Sequence, residues 1–125
     1  MTLRSPLRKV RGLGSAGEGT GHWWAQRMTA VALIPLLLWF VASLCVMVGS
    51  DYAAVREWVA TPIVSILLVL LAIAAFHHTQ LGLQVVIEDY VHIEWLKLSS
   101  IALVKFAAIS LAVATIFSVV KIAIQ

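Results

Sequence analysis

Three long apolar segments constrain this chain more than any other feature of its sequence. They cover about residues 28–48, 62–87 and 98–122. At about 1.5 Å per residue, the first segment alone would reach roughly 32 Å as a helix, which is enough to cross the core of a bilayer. The chain is also 62% hydrophobic and only 12% charged, far from the composition of soluble domains. The sequence therefore predicts an all-α membrane protein with three transmembrane helices.

Positive charge is concentrated ahead of the first apolar segment, in a polar, basic N-terminal arm (residues 1–27) that contains one acid, Glu18. Its basic residues are Arg4, Arg8, Lys9, Arg11 and Arg27. Because basic flanks stay in the cytoplasm, we expect the N-terminus and the loop at 88–97 inside and Gln125 outside. Charges beside a span also argue against a nucleic-acid partner. The arm precedes a transmembrane domain, 28–125, and its glycines predict a flexible or turn-rich second half.

Two cellular locations fit the first residues. Residues 1–13 are rich in arginine and free of acids, as in an organellar transit peptide. The apolar segment that follows is too long for the core of a signal peptide and lacks a clear cleavage site. The simpler expectation is a multi-pass protein of a bacterial inner (cytoplasmic) membrane, in direct contact with the lipid bilayer.

Two adjacent histidines, His77 and His78, lie inside the second apolar segment, where polar groups are expensive and usually functional. His78 and Asp89 are roughly 20° apart around a helix and roughly 16 Å apart along it. Neutral imidazole is the usual haem ligand. Small residues that would leave room for a porphyrin lie one turn away: Ala74, Ala75 and Gly82. We expect a haem ligand at His78, with a hydrogen bond to another helix as the alternative and zinc disfavoured.

Charged and phenolic side chains mark the membrane edge. Glu88 and Asp89 end the second span, where the helix dipole disfavours acids by about 0.3–1 kcal/mol each. This indicates a function or a cationic partner, with a solvated loop as the alternative. Tyr90 can donate a hydrogen bond to a carbonyl group. Arg27 can form forked bonds to haem propionates or contact a quinone, or it can bind phospholipid.

The spacing His78–x3–Gly82–x6–Asp89–Tyr90 resembles the membrane anchor subunits of succinate dehydrogenase (respiratory complex II). Of the two anchor chains in that enzyme, it is most similar to the smaller hydrophobic one. The segment 14–30, with its tryptophan pair and the run Arg-Met-Thr-Ala, resembles the start of that family's first helix. Length, three spans and a cytoplasmic N-terminus agree as well, so the resemblance covers nearly the whole chain, although the third helix matches only in hydrophobicity.

The resemblance implies a four-subunit enzyme of electron transport and the tricarboxylic acid cycle. A flavoprotein subunit oxidises succinate, an iron–sulfur subunit carries the electrons, and two anchor chains form a transmembrane bundle that holds haem b and a ubiquinone site. This chain would not be catalytic alone. By position, His78 matches the ligand of the haem iron, with the second ligand from the sister anchor. Asp89 and Tyr90 match the quinone pair, and Arg27 matches an arginine near the propionates.

Three alternatives stay open. The axial ligand could be His77 instead of His78. The chain could be the cytochrome b-type anchor of another membrane dehydrogenase, although such anchors are expected to carry several intramembrane histidines. It could also be a haem-free scaffold subunit, which would explain the apolar spans but not the alignment of His78 with Asp89.

Overall fold

The structure is a computed structural model that describes residues 16–125, with side chains from residue 20 onward. This part of the chain forms four α-helices: α1 (Ala16–Met47), α2 (Tyr52–Ala60), α3 (Pro62–Tyr90) and α4 (Glu94–Ile124). The stretch Thr20–Met47 of α1, together with all of α3 and α4, is long and apolar enough to cross a membrane by length and composition. The predicted all-α membrane fold with three spans is therefore confirmed.

The middle span, α3, is the helix on which the others pack. It carries most of the buried side chains of the described residues, whereas α4 contributes only Val119. The buried residues of α3 are Val64, Ser65, Leu71, Ala72, Ala74, Gln80, Leu81 and Gln84. Both α1 and α4 lie against α3, and within the described residues they barely touch each other. The faces of α3 between its two neighbours are therefore open grooves.

Contacts between the helices show that each neighbour runs antiparallel to α3. On α1, Gln26 approaches Gly82 and Thr29 approaches His78, so the start of α1 lies near the end of α3. On α4, Lys105 lines a groove with Gln80. The start of α1, the end of α3 and the start of α4 therefore share one end of the bundle, whichever side of the membrane that end faces.

The prediction of a flexible or turn-rich second half of the N-terminal arm is wrong for residues 16–27, because α1 begins at Ala16 and continues into the first span. Each glycine costs a helix about 1 kcal/mol relative to alanine. A helix already formed by the apolar span nevertheless extends with one hydrogen bond per added residue. The basic residues of the arm at positions 4, 8, 9 and 11 lie outside the described residues.

A short helix, α2, lies between the first two apolar segments, for which the sequence analysis predicted no helix. Gly49 makes the turn before it with a φ of 85°, a conformation that glycine adopts without strain. The Asp51 carboxylate then caps α2 by accepting the Ala54 N–H at 2.9 Å. Trp58 of α2 stacks on Trp39 of α1, with 6.0 Å between ring centroids. This cap and the stacked indoles fix the C-terminal part of α1 against α2.

The ends of the spans also differ from the predicted limits. The helix α3 continues to Tyr90 instead of ending near 87, and α4 begins at Glu94 instead of near 98. Only residues 91–93 separate the two helices. Asp89 and Tyr90 therefore belong to the last turn of a helix and not to a loop.

Candidate functional site

His78 is held by a hydrogen bond across two helices. Its Nδ1 lies 3.0 Å from the Thr29 hydroxyl of α1, and the side chain is half-buried. The Thr29 hydroxyl donates its single hydrogen to backbone carbonyls of its own helix, at 2.7 Å to Ala25 and 3.1 Å to Gln26. This arrangement assigns the proton to Nδ1 of His78, with the hydroxyl oxygen as acceptor, whereas a hydroxyl that donated to Nδ1 would require the Nε2–H tautomer. In the first tautomer Nε2 keeps a free lone pair, as a metal ligand requires.

The small residues around His78 do not enclose one common cavity. Ala74 is buried. Gly82 faces α1, and a side-chain carbon there would lie 3.7 Å from Nε2 of Gln26, an ordinary contact. Ala75 instead lines a groove of about 260 Å³ between α3 and α4, together with Thr79. The predicted small-residue face is thus divided between the two neighbouring helices.

Gln26, directly before Arg27, carries the one buried side-chain polar atom that lacks a hydrogen-bond partner in the described part of the chain, its Oε1. A buried amide oxygen without a donor costs free energy, about 1–3 kcal/mol. The atom lies on the α1 segment that contacts Gly82 and His78. This end of the α1–α3 interface is therefore incomplete in the isolated chain and suits a further donor.

His77 points away from the His78 environment and is exposed. It lines a groove of about 400 Å³ with His22 of α1 and a second groove of about 380 Å³ with Lys105 of α4. Among the described residues, no group of three or more histidine, cysteine or acidic side chains could hold a metal ion. The two adjacent histidines thus have different surroundings, and only His78 is bonded to a neighbouring helix.

The acidic end of α3 is arranged differently from the sequence expectation. Asp89 and Tyr90 are both exposed, and Tyr90 is 77% accessible. Glu88 accepts a hydrogen bond from the Gln84 amide at 3.1 Å, and Gln84 in turn accepts one from Gln80 at 2.8 Å. The partner of Glu88 is therefore an amide of its own helix and not a cation. Asp89 and Tyr90 lie open on the surface of this chain.

Arg27 lies on the exposed face of α1, two residues before Thr29. Its guanidinium carbon is 5.3 Å from the centroid of the Trp23 ring, within cation–π range. The structure places Arg27 near the level of Thr29 but roughly 200° around α1 from it, so Arg27 does not share the face of α1 that contacts His78. It leaves Asp89 and Tyr90 further along α3, roughly 16 Å beyond His78.

Two features of this site were missed from the sequence. The chain Gln80–Gln84–Glu88 has a readable signal, since polar side chains four residues apart share a helix face. The role of Thr29 has no such signal in the sequence, because its partner His78 lies 49 positions away in the chain. Both depend on amide or hydroxyl groups, which are uncharged and less conspicuous in a sequence than acids and histidines.

These observations define a class: a three-span membrane protein whose central helix presents one hydrogen-bonded imidazole near its middle and a carboxylate–phenol pair in its last turn. The family model for "Succinate dehydrogenase/Fumarate reductase transmembrane subunit" matches residues 1–120, and the chain belongs to this family.

Named relatives agree with this assignment. The chain is 35% identical over 117 residues to a succinate dehydrogenase hydrophobic membrane anchor subunit of Rickettsia bellii, which covers 94% of both chains. It is 31% identical to the protein of the same description in Paracoccus denitrificans, over 72% of this chain and 70% of that one. A succinate dehydrogenase membrane anchor subunit of Reclinomonas americana is 30% identical, over 75% of this chain and 81% of that one.

Proposed function

We propose that this chain is the smaller hydrophobic anchor of a succinate:quinone oxidoreductase in a bacterial inner membrane. It would share a b-type haem with a sister anchor and contribute to the site of ubiquinone reduction. The flavoprotein and iron–sulfur subunits would dock at the end of the bundle that holds Asp89 and Tyr90. The observation that carries the proposal is the Thr29–His78 bond, which orients an intramembrane imidazole with a free Nε2.

The donor set fits half of a haem site. His78 offers one nitrogen, and Arg27, two residues before Thr29 on the exposed side of α1, can form forked bonds to a propionate. When bound, haem b would supply one-electron redox chemistry between its ferric and ferrous states. The role of this chain is to fix the imidazole, since Thr29 holds the ring plane and its tautomer. The second axial ligand would come from the sister anchor, because His77 opens into other grooves.

The end of α3 supports a quinone site that needs other subunits for completion. Tyr90 is almost fully exposed and can donate a hydrogen bond to a quinone carbonyl. Asp89 precedes it in the last helical turn and can orient the phenol or a bound water. Because both side chains lie in the open, walls from the sister anchor and the iron–sulfur subunit would exclude water there. A site at the membrane edge lets the quinone tail stay in lipid.

Paired histidine variants test the haem assignment. In the assembled complex, His78→Ala should remove or strongly alter the reduced b-type haem absorption, whereas His77→Ala should leave axial ligation intact. The two residues are adjacent, so His77→Ala is a matched control for the loss of an imidazole from α3. The reverse result would move the ligand to His77. A wild-type complex that shows no b-type haem signal would make the chain a haem-free scaffold.

A further inference from the structure

Lys105 is a cation inside a membrane-spanning helix. It lies eleven residues into α4, roughly 16 Å from the start of the helix, and no other charged residue occurs between Lys97 and Lys121. Its side chain is exposed and makes no hydrogen bond or ion pair with any other described side chain. Ionisable groups at such depth are rare and usually face a partner or a polar cavity.

The groove around Lys105 is apolar apart from three side chains. It has a volume of about 380 Å³ and lies between α3 and α4, with His77 and Gln80 of α3 beside the lysine. Its apolar walls are formed by Ile73, Phe76, Ala108, Ile109 and Ala112. Because Ala108 and Ala112 have small side chains, they leave space on the α4 side of the groove. A groove with a cation at one level and an apolar floor suits an amphiphile with an anionic head.

No anion of the described residues neutralises Lys105. The groove contains no acidic side chain. The nearest acid along α3 is Glu88, roughly 12 Å beyond Gln80, and it is hydrogen-bonded to Gln84. The Gln80 amide donates one of its two N–H groups to Gln84, and it carries no charge that could neutralise a cation. The counter-charge for Lys105 must therefore come from outside this part of the chain.

We propose that this groove binds an anionic phospholipid, with its phosphate on Lys105 and one acyl chain along the floor formed by Ala108 and Ala112. Side chains of a helix lean toward its N-terminus, so the ammonium of Lys105 leans toward the bundle end where α4 begins. That end is a membrane surface, where lipid phosphates lie. A lysine ammonium is a compact point charge that binds phosphate, and its long apolar stem lets it reach toward the headgroups.

Lipid retention by the purified complex tests this site. The complex would be washed in mild detergent and supplied with phosphatidylglycerol or phosphatidylcholine, and bound lipid would be counted by native mass spectrometry. We expect Lys105→Gln to weaken phosphatidylglycerol binding about 10- to 100-fold, the loss typical of a charge-assisted contact. Phosphatidylcholine should show no such difference. Lys121→Gln, on the same helix but outside the groove, is the matched control and should bind as the wild type does.

A second variant leaves the charge in place. Ala108→Leu fills the floor and should also lower lipid retention, whereas Lys105→Arg should preserve it. Equal retention of phosphatidylglycerol by wild type, Lys105→Gln and Ala108→Leu would overturn the site. So would a carbodiimide cross-link between Lys105 and a carboxylate of another subunit, since the occupant would then be a protein side chain. Haem absorption of each variant reports assembly separately from lipid binding.

Discussion

The Thr29 hydroxyl decides which nitrogen of His78 is available, and this gives a prediction at the level of a single atom. Thr29→Val keeps the shape of the side chain but removes the acceptor for the Nδ1 proton. An imidazole that donates such a bond is a stronger electron donor to a metal. The variant should therefore raise the midpoint potential of the proposed haem and weaken its retention by about 10- to 100-fold. Redox titration of the b-type absorption measures the first effect.

Two controls accompany the threonine variant. Thr29→Ser keeps the hydroxyl and should restore the wild-type potential. Thr115→Val removes a hydroxyl from α4 that bonds only to the Leu111 carbonyl of its own helix, at 2.8 Å, and should leave the haem unchanged. An unaltered potential and haem content in Thr29→Val would mean that the Thr29–His78 bond has no bearing on ligation.

Tyr90→Phe tests the quinone assignment. Removing one neutral hydrogen-bond donor costs roughly 0.5–1.5 kcal/mol, or about 2- to 12-fold in binding. We expect quinone reduction at limiting quinone to fall by this factor or more, while succinate oxidation with a water-soluble acceptor persists. Asp89→Leu should act in the same direction without preventing assembly. Unchanged quinone reduction in Tyr90→Phe would leave Tyr90 as an interfacial aromatic residue only.

Some properties of His78 and Tyr90 could be predicted from the sequence, and others could not. His78 was predictable because an imidazole in an apolar helix is conspicuous and its spacing to Asp89 is a local, helical quantity. Its bond to Thr29 depends on how α1 packs on α3, and no local pattern encodes that packing. The exposure of Tyr90 depends on where the last turn of α3 ends and on what packs beside it, and no local pattern encodes either.

Within α3, the hydrogen-bonded chain from Gln80 to Glu88 gives a prediction about stability. Gln84→Leu should destabilise the complex, because it leaves the buried Gln80 amide without an acceptor. Such a loss costs about 1–3 kcal/mol in proteins generally, and nearer 0.6 kcal/mol on average between membrane helices. Thermal unfolding of the purified complex measures the change.

The double variant of Gln80 and Gln84, with leucine at both positions, completes the cycle. Replacing both partners by apolar side chains removes the unsatisfied group, so it should recover part of the stability lost in Gln84→Leu. If the two single losses simply add in the double variant, the hydrogen bond between these amides contributes nothing measurable.

The helices likewise differ in how well the sequence predicted them. The three spans were predictable because burial in lipid demands about twenty apolar residues in a row. The helix α2 was missed even though Asp51 is a favourable N-cap residue, because a nine-residue helix is marginal without packing, here between Trp58 and Trp39. The continuous start of α1 was missed for the opposite reason: glycines suggest breaks that an adjoining stable helix overrides.

For the whole molecule, the sequence and the packing of the helices together predict an orientation in the membrane. The basic residues before α1 predict that the end bearing Asp89 and Tyr90 faces the cytoplasm. The antiparallel packing places the Gly49 turn and Gln125 at the opposite end, where Arg56 donates to Gln125 at 3.1 Å. Topology reporters inserted at Gly49 and fused to Gln125 should therefore both report the outer side. A cytoplasmic signal from Gln125 would reverse the orientation.

The order of the helices along the chain has a consequence for which parts of the protein the oriented histidine requires. Both halves of the Thr29–His78 pair precede α4 in the chain. The helix α4 packs on α3 but contributes no partner to this bond. A chain that ends after Tyr90 would therefore still contain every side chain that orients the imidazole.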